Sequence, residues 1–256
     1  MSGAIAVVSG LTAVVLAGSR AGGDPLARAY GLPHKAALTL AGRPMGAWVV
    51  DALRASPAIG RVVVVVGEGG QAYGAERMAA QATIGATVEA ALDTLGAPLL
   101  VTTIDHPLLT PAMIAEFLGK VPRDADCAVA VTRAETVLGA YPEARRTWLR
   151  FRRARVTGCN LFLLARPPAR QVVRYWTRMD ARRKSLAAMV RAAGPVTLAL
   201  WGLGLLTMEG AARRLSRRLG AKAAVVELSA AEAAIDVDKP EDVRLAEAIL
   251  ARRAAY

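Results

Sequence analysis

The chain has 256 residues, of which 54% are hydrophobic and 21% are charged, and its formal net charge is +12. This length and apolar content suffice to bury the core of one α/β domain, which we assign to residues 1–256. The positive charge favours anionic partners, namely nucleotides, phosphorylated metabolites, nucleic acid or acidic lipid. The two cysteines, Cys127 and Cys159, lack a paired or metal-ligand spacing. This argues against zinc and predicts reduced thiols in a cytoplasmic protein.

Two apolar stretches resemble membrane segments but lack the required features. The first twenty residues have no basic start and run directly into a glycine-rich loop, so we interpret them as leading into the first strand. Residues 196–208 are too few to span a bilayer and contain Gly202 and Gly204. The sequence therefore predicts no transmembrane segment.

In the first half of the chain, strand-like apolar runs alternate with segments of helical length. Such a βαβ rhythm, with strands apolar on both faces, predicts a mostly parallel sheet flanked by helices, a Rossmann-like α/β fold. Ligands of such folds bind outside the carboxyl ends of the strands. The predicted strands are residues 12–17, 61–66, 99–104 and 127–131, and the helices include 45–55 and 86–95.

The second half departs from this alternation. We expect an insertion over approximately residues 132–228 that builds the acceptor side of a binding site. Its predicted strands are residues 147–151, 156–164 and 223–228, and its predicted helices are 168–179, 181–193 and 210–219; a last helix begins near Pro240.

The loop after the first strand is rich in glycine and basic residues, a composition typical of phosphate binding. Small residues let backbone N–H groups surround an anion, and basic side chains add charge. A glycine-rich turn with a solvated Arg20 is the alternative interpretation. The predicted nucleotide-binding residues are Leu16, Ala17, Gly18, Ser19, Arg20, Gly22, Gly23 and Lys35, with Gly85 expected to border the nucleobase.

Two familiar phosphate motifs do not fit this loop. Asp24 and Pro25 stand where a Walker A loop needs a lysine and a hydroxyl residue. Ser19 and Arg20 follow Gly18, so the dinucleotide-binding glycine pattern is also absent. The loop therefore favours a nucleotide held in another way.

Two acidic positions suit a magnesium ion beside this loop. Asp105 follows the strand at 99–104, and one or two carboxylates with phosphate oxygens and water satisfy Mg²⁺. Capping of the helix that starts near Thr110 is the alternative for Asp105. Asp236 and Asp238 share one side of a later extended segment. We assign the metal to Asp105 and Asp236 and helix capping to Asp238.

Four segments together resemble the MobA-like nucleotidyltransferases, which have a Rossmann-like GT-A fold. They are residues 16–20 with Lys35, residues 41–45, residues 103–107 and residues 236–242. The resemblance implies that Gly18, Arg20 and Lys35 grip a triphosphate, with Arg28 as a substitute phosphate ligand, and that Asp105 and Asp236 bind Mg²⁺. It further implies a Mg²⁺-dependent transfer of NMP from CTP or GTP to a phosphorylated acceptor, with Arg20, Lys35 and Asp105 as catalytic residues.

The acceptor side carries basic residues and one asparagine. Asn160 resembles an acceptor-side residue of that family, and a turn asparagine is the alternative. Arg182, Arg183 and Lys184 are predicted to bind the acceptor phosphate of a small molecule or lipid precursor. The arginines at 213–218 form a solvated helical face by default, and peripheral contact with an anionic membrane is the alternative.

Two other functions compete with nucleotidyl transfer. A GT-A glycosyltransferase would use a nucleotide-sugar, but it usually carries Asp-x-Asp where this chain has Asp105-His106-Pro107. A non-catalytic module binding anions, a membrane surface or RNA would use the arginine clusters. No RNA-recognition or helix-turn-helix motif is found, so no specific nucleic acid is expected as a partner.

Overall fold

The computed structural model of the protein describes residues 10–18, 23–182 and 194–254, apart from the side chains of residues 179–182. The strands are β1 (Leu11–Ala17), β2 (Thr39–Leu40), β3 (Arg43–Pro44), β4 (Ile59–Val66), β5 (Glu76–Ala79), β6 (Leu99–Thr103), β7 (Cys127–Arg133), β8 (Leu149–Phe151), β9 (Ala154–Leu164) and β10 (Ala223–Glu227). The helices are α1 (Pro25–Ala29), α2 (Met45–Arg54), α3 (Ile84–Leu95), α4 (Pro111–Lys120), α5 (Ala134–Ala140), α6 (Ala169–Arg182), α7 (Pro195–Gly202), α8 (Met208–Leu219) and α9 (Pro240–Ala254).

The main sheet has the strand order β10-β7-β9-β6-β1-β4-β5, and β8 pairs with β9 beside this path. β1 lies between β4 and β6 and is parallel to both. β9 is antiparallel to its neighbours β6 and β7. The predicted mostly parallel, mixed sheet is thus confirmed, and the carboxyl ends of β1 and β6 meet at one edge.

Both faces of the sheet are covered by helices, which explains the apolar strands. In β1, Val15 packs in a cluster that includes residues of α2, α4 and α9. Val14, the preceding residue, packs on the opposite face with residues of α3 and α6. Successive side chains of a strand point to opposite faces, so a strand covered on both sides must be apolar throughout.

The small hairpin of β2 and β3 was not predicted. Its turn residues, Ala41 and Gly42, have φ angles of 47° and 78°. A two-residue turn with both φ values positive matches the twist of a hairpin, but alanine rarely adopts this conformation. The sequence pattern therefore gives no sign of this turn. Likewise, α5 and β5 were not predicted from the sequence.

The second half of the chain follows the predictions in outline. The strand predicted at 147–151 is shortened to β8, and α6 continues to Arg182 rather than ending at 179. Residues 183–193 of the helix predicted at 181–193 lie outside the described ranges. Within the apolar stretch at 196–208, α7 accounts for residues up to Gly202, and Met208 already begins α8. In the part of the chain that the structure describes, no helix has both the length and the apolar character needed to cross a bilayer.

Candidate active site

Lys35 joins two acidic residues that are far apart in the sequence. Its Nζ atom donates to Asp105 Oδ2 at 2.6 Å and to Asp238 Oδ1 at 2.7 Å. A third carboxylate, that of Asp24, lies 3.8 Å from the same Nζ atom. The early basic residue, the central carboxylate and the late acidic segment therefore meet at one point.

The sheet positions these residues. Asp105 follows β6, and the Ile104 N–H donates to the Leu16 carbonyl of β1 at 3.0 Å. The late segment is fixed to the same place, because the Val237 N–H donates to the Asp105 carbonyl at 2.9 Å. Lys35 begins a 3₁₀ turn, Lys35–Ala37, ahead of the β2–β3 hairpin. The cluster thus lies where the carboxyl ends of β1 and β6 meet.

The charges in this cluster are mutually dependent. Burial alone would lower the pKa of Lys35, but the carboxylates of Asp105 and Asp238 outweigh burial and raise that pKa above its ordinary value. Lys35 is therefore a cation near neutral pH. Thr103 also donates its hydroxyl hydrogen to Asp105 Oδ1, which fixes the orientation of that carboxylate.

Asp236 belongs to an adjoining network. Arg146 Nη1 donates to Asp236 Oδ1 at 2.7 Å, and Asn160 Nδ2 donates to Asp236 Oδ2 at 3.1 Å. Arg146 also donates to Asp242 Oδ1 at 2.9 Å, and its side chain is only 7% exposed. One buried guanidinium thus holds the segment 236–242 against the sheet.

Burial raises the pKa of Asp236 to about 6. The positive charge of Arg146 opposes this shift, whereas the negative charges of Asp105, Asp238 and Asp242 add to it. The hydrogen bond from the Val237 N–H to the Asp105 carbonyl brings Asp236 and Asp238, the residues on either side of Val237, close to Asp105. An additional cation would relieve their mutual repulsion.

Asn160 has an unusual backbone. Its φ angle is 48°, in the left-handed region that non-glycine residues rarely adopt. It lies where the β7–β9 register shifts between Val129 and Val131, so β9 bulges at this point. Bulges often redirect a side chain beside a functional site, and here the amide of Asn160 reaches Asp236. The asparagine of a bulge, rather than of an ordinary turn, thus occupies this position.

The helix caps differ from the predicted ones. Asp238 was assigned to capping, but its carboxylate binds Lys35 instead. The Oδ2 atom of Asp242 accepts the N–H groups of Asp238 and Lys239 at 3.2 and 3.0 Å, at the start of α9. α4 is capped by Thr110, whose Oγ1 atom accepts the Met113 N–H at 3.2 Å. The capping alternative for Asp105 is therefore wrong.

Some of the remaining residues predicted to bind nucleotide or acceptor are described in the structure, and others are not. Leu16 and Ala17 are in β1, Gly18 follows directly, and Gly23 precedes α1. Arg28, predicted as a substitute phosphate ligand, is in the last turn of α1. Other predicted positions lie outside the described residues: Ser19, Arg20, Gly22, Arg183, Lys184 and the side chain of Arg182.

Gly85 has a packing role. A Cβ atom at this position would lie 1.7 Å from the Thr177 hydroxyl oxygen of α6. The glycine therefore allows α3 and α6 to approach closely on one face of the sheet. Its predicted place beside a nucleobase is not needed to explain the residue.

The two histidines differ. His34 Nε2 lies 3.2 Å from the Glu68 carbonyl oxygen, within hydrogen-bonding distance. His106 is only 1% exposed, and its ring nitrogens have no hydrogen-bond partner among the described residues. Burial lowers the pKa of His106 to about 4, so its ring is neutral near pH 7.

Sequence reasoning missed Arg146, Asp242 and Asp24. Arg146 follows Arg145 in a basic run, and nothing in the sequence separates the buried arginine from its exposed neighbour. Asp24 caps α1 by accepting the N–H groups of Leu26 and Ala27 at 2.8 and 3.2 Å. The Asp24-Pro25 pair is a typical helix start and could have revealed this cap.

Comparisons with known proteins identify a family and similar structures for this chain. A family model described as the MobA-like NTP transferase domain matches residues 13–202. The solved structure of a hypothetical transferase from Thermus thermophilus is 30% identical, has a TM-score of 0.81, and aligns over 91% of this chain and 99% of its own. A comparison with curated proteins finds no match.

Two enzymes of known activity share the fold at lower identity. CMP:2-keto-3-deoxy-manno-octonic acid synthetase, solved with CTP, is 14% identical with a TM-score of 0.61, over 96% of this chain and 100% of its own. 2-C-methyl-D-erythritol 4-phosphate cytidylyltransferase from Thermus thermophilus is 21% identical with a TM-score of 0.52, over 95% and 99%. The Rossmann-like nucleotidyltransferase fold is thereby confirmed.

Proposed function

The chain belongs to the MobA-like NTP transferase domain family, and from this membership we propose that it is a Mg²⁺-dependent nucleotidyltransferase acting on a phosphorylated acceptor. It transfers NMP from CTP or GTP to that acceptor and releases pyrophosphate. The observation that carries this proposal is the position of Lys35 Nζ, 2.6 Å from Asp105 and 2.7 Å from Asp238. Such a junction supplies both a phosphate-binding cation and metal-binding carboxylates.

The donor set suits magnesium. Mg²⁺ is held in proteins by one or two carboxylates, with water and substrate phosphate oxygens completing the octahedron. Asp105 and Asp238 both face the Lys35 ammonium, so their carboxylates converge on one cation already. Asp236 is engaged by Arg146 and Asn160, which makes Asp238 the better second ligand than the predicted Asp236. Magnesium bound there neutralises phosphate charge and polarises the reacting phosphoryl group.

The side chains of the site position and neutralise the nucleotide. The Lys35 ammonium has three N–H donors, and a triphosphate entering the cluster gives it phosphate oxygens as partners in place of a carboxylate. We assign Arg20 and the backbone of the loop at 18–23 to the same phosphates. Positive groups held in place before the reaction stabilise the charge that develops as pyrophosphate leaves.

The chemical step needs no protein base. An oxygen of the acceptor phosphate attacks the α-phosphorus, and the bond from that phosphorus to the pyrophosphate oxygen breaks. A phosphate monoester has a second pKa of about 6, so its oxygen is already ionised near pH 7. The neutral, buried His106 is accordingly assigned no proton transfer.

The acceptor side is assigned to β9 and to residues 182–184. Asn160 projects from the β9 bulge to Asp236, beside the cluster. Arg182, Arg183 and Lys184 are proposed to hold the acceptor phosphate. CTP is the first nucleotide to test, because one protein of the same fold was solved with CTP and another is a cytidylyltransferase.

Two measurements test this function. Calorimetry with CTP, GTP, ATP and UTP, each with and without Mg²⁺, should show Mg²⁺-dependent binding of CTP or GTP. Pyrophosphate release is then followed with the bound nucleotide and a panel of sugar and alcohol phosphates. A nucleotide-sugar consumed without pyrophosphate release would favour a glycosyltransferase, and the absence of any Mg²⁺-dependent nucleotide binding would contradict the proposal.

A further inference from the structure

The surface around α7 is unusually apolar. Residues 195–206 are here called the apolar segment. Its large exposed apolar side chains lie within ten residues of one another. They are Val196 at 59% exposure, Trp201 at 49%, Leu203 at 71% and Leu205 at 49%. None of the eight residues of α7, all of which are described, is buried.

The helix of this segment, α7, lacks the buried apolar stripe that holds most surface helices to a protein. A surface helix normally buries an apolar stripe and presents polar residues to water, but Pro195–Gly202 contains one polar side chain, that of Thr197. Contiguous exposed apolar surface on soluble proteins commonly marks a site for a partner or a membrane. Among the described residues, those of the apolar segment thus form a surface suited to a partner or a membrane.

Arginines border the first end of the apolar segment. The N-terminal turn of α7, with Val196 and Thr197, forms an open depression with Arg214, Arg217 and Arg218 of α8. A Cβ atom at Gly194 would lie 3.3 Å from the Arg218 guanidinium. α8, which is described along its whole length, contains four arginines and one acidic residue, Glu209.

Arginines also border the second end. The Arg152 N–H donates to the Leu206 carbonyl at 2.8 Å, which places the β8–β9 turn beside the end of the segment. Arg150, Arg152 and Arg153 of this hairpin are exposed. Residues 144–155 contain no acidic side chain. The apolar segment is thus enclosed between two basic borders.

We propose that the apolar segment and its arginine borders dock the protein peripherally on an anionic lipid bilayer. Trp201, Leu203 and Leu205 enter the interface between headgroups and acyl chains, and the arginines bind lipid phosphates. An exposed tryptophan suits this depth, because its ring is apolar and its N–H is polar. Charge complementarity selects this occupant, since a cytoplasmic leaflet is negative and each nearby basic residue adds to binding.

Other occupants fit the surface less well. A symmetric second copy would bring the same arginine borders against each other, and like charges brought together weaken an interface. RNA would satisfy the arginines but would leave Val196, Leu203 and Leu205 in water. Docking on a bilayer is independent of the proposed nucleotidyl transfer, because it needs no nucleotide.

Vesicle flotation of the full chain tests this surface. Vesicles with about one third phosphatidylglycerol in phosphatidylcholine should carry the protein, and pure phosphatidylcholine vesicles should carry roughly tenfold less. Binding should weaken as salt is raised. The Trp201 fluorescence should shift to shorter wavelength with anionic vesicles, and this change should disappear in Trp201→Phe.

Matched variants separate the two parts of the surface. The double variant Trp201→Ser, Leu203→Ser and the double variant Arg214→Gln, Arg217→Gln should each lower partitioning roughly tenfold. The control Arg77→Gln, Arg244→Gln removes the same charge from β5 and α9. Its partitioning onto anionic vesicles should fall less than that of the Arg214→Gln, Arg217→Gln variant. Circular dichroism shows whether each variant is folded.

Three results would overturn the proposal. One is equal binding to anionic and neutral vesicles, or to neither. Another is wild-type partitioning by both double variants. The third is a dimer in sedimentation velocity that Leu203→Ser dissociates, since a second copy would then cover the segment.

Discussion

The acidic cluster around Lys35 and the apolar segment at 195–206 differ in the charges that surround their central residues. In the cluster, Asp105 and Asp238 surround one cation, and the Asp105 side chain is only 13% exposed. At the apolar segment, arginines border exposed Val196, Trp201 and Leu203. The net charge of +12 therefore indicates anionic partners in general, but the location of the charge distinguishes a phosphate site from a surface contact.

The largest expected effect is on catalysis at the cluster. Lys35→Ala removes the cation that faces both carboxylates, and we expect kcat/KM for pyrophosphate release to fall by about 10² to 10³. Lys239→Ala is the matched control, because Lys239 is exposed and adjacent to Asp238. Steady-state kinetics check this, and similar losses in both variants would contradict the special role of Lys35.

Metal binding should distinguish the neighbouring aspartates. Asp238→Asn removes a carboxylate that faces Lys35, and we expect the Mg²⁺ concentration for half-maximal activity to rise about tenfold or more. Asp236→Asn should raise it less, since Asp236 is held by Arg146 and Asn160. Magnesium titrations of both variants measure the difference. A larger shift in Asp236→Asn would return the metal role to Asp236.

Stability should depend on Arg146 but not on its neighbour. Arg146→Met leaves Asp236 and Asp242 without their shared partner, and the free energy of unfolding should fall by about 3 kcal/mol. Arg145→Met, at the adjacent exposed position, should change it by less than about 0.5 kcal/mol. Urea denaturation of the pair provides the measurement, and equal effects would mean that Arg146 does not hold the 236–242 segment.

The pKa of Asp236 should be visible in the pH dependence of stability. This pKa is about 6 in the folded protein against 3.8 for the unperturbed group, so the folded state binds more protons between these values. The contribution of Asp236 to the free energy of unfolding therefore falls as pH rises from about 4 to about 6, by roughly 2 kcal/mol. The difference between wild type and Asp236→Asn, measured by denaturation across that range, should show this slope. A difference independent of pH would contradict it.

The smallest expected effect is that of a substitution in the apolar segment on the stability of the protein. Leu203→Ser should change the free energy of unfolding by less than about 0.5 kcal/mol, because its side chain is 71% exposed. Leu53→Ala, in the core, should cost about 2 to 5 kcal/mol. Thermal denaturation of both compares a surface leucine with a structural one. A large loss at Leu203 would mean that the segment is part of the core.

The sequence predicts elements whose signals are local. Asp105 and the loop that begins at Gly18 each follow a recognisable apolar strand, so their proximity is expected from the parallel order of β1 and β6. The Arg146 network depends on contacts 90 and 96 residues apart, and no local pattern marks it. The left-handed Asn160 and the contact between Gly85 and Thr177 likewise arise from strand register and helix packing. These features become visible only once the chain is folded.

The most direct test is a crystal structure with CTP or GTP and Mn²⁺, located by its anomalous scattering. The account predicts that the metal binds the Asp105 and Asp238 carboxylates and a phosphate oxygen, with Lys35 in contact with the triphosphate. A nucleotide bound elsewhere, with Lys35 still holding both carboxylates, would contradict it.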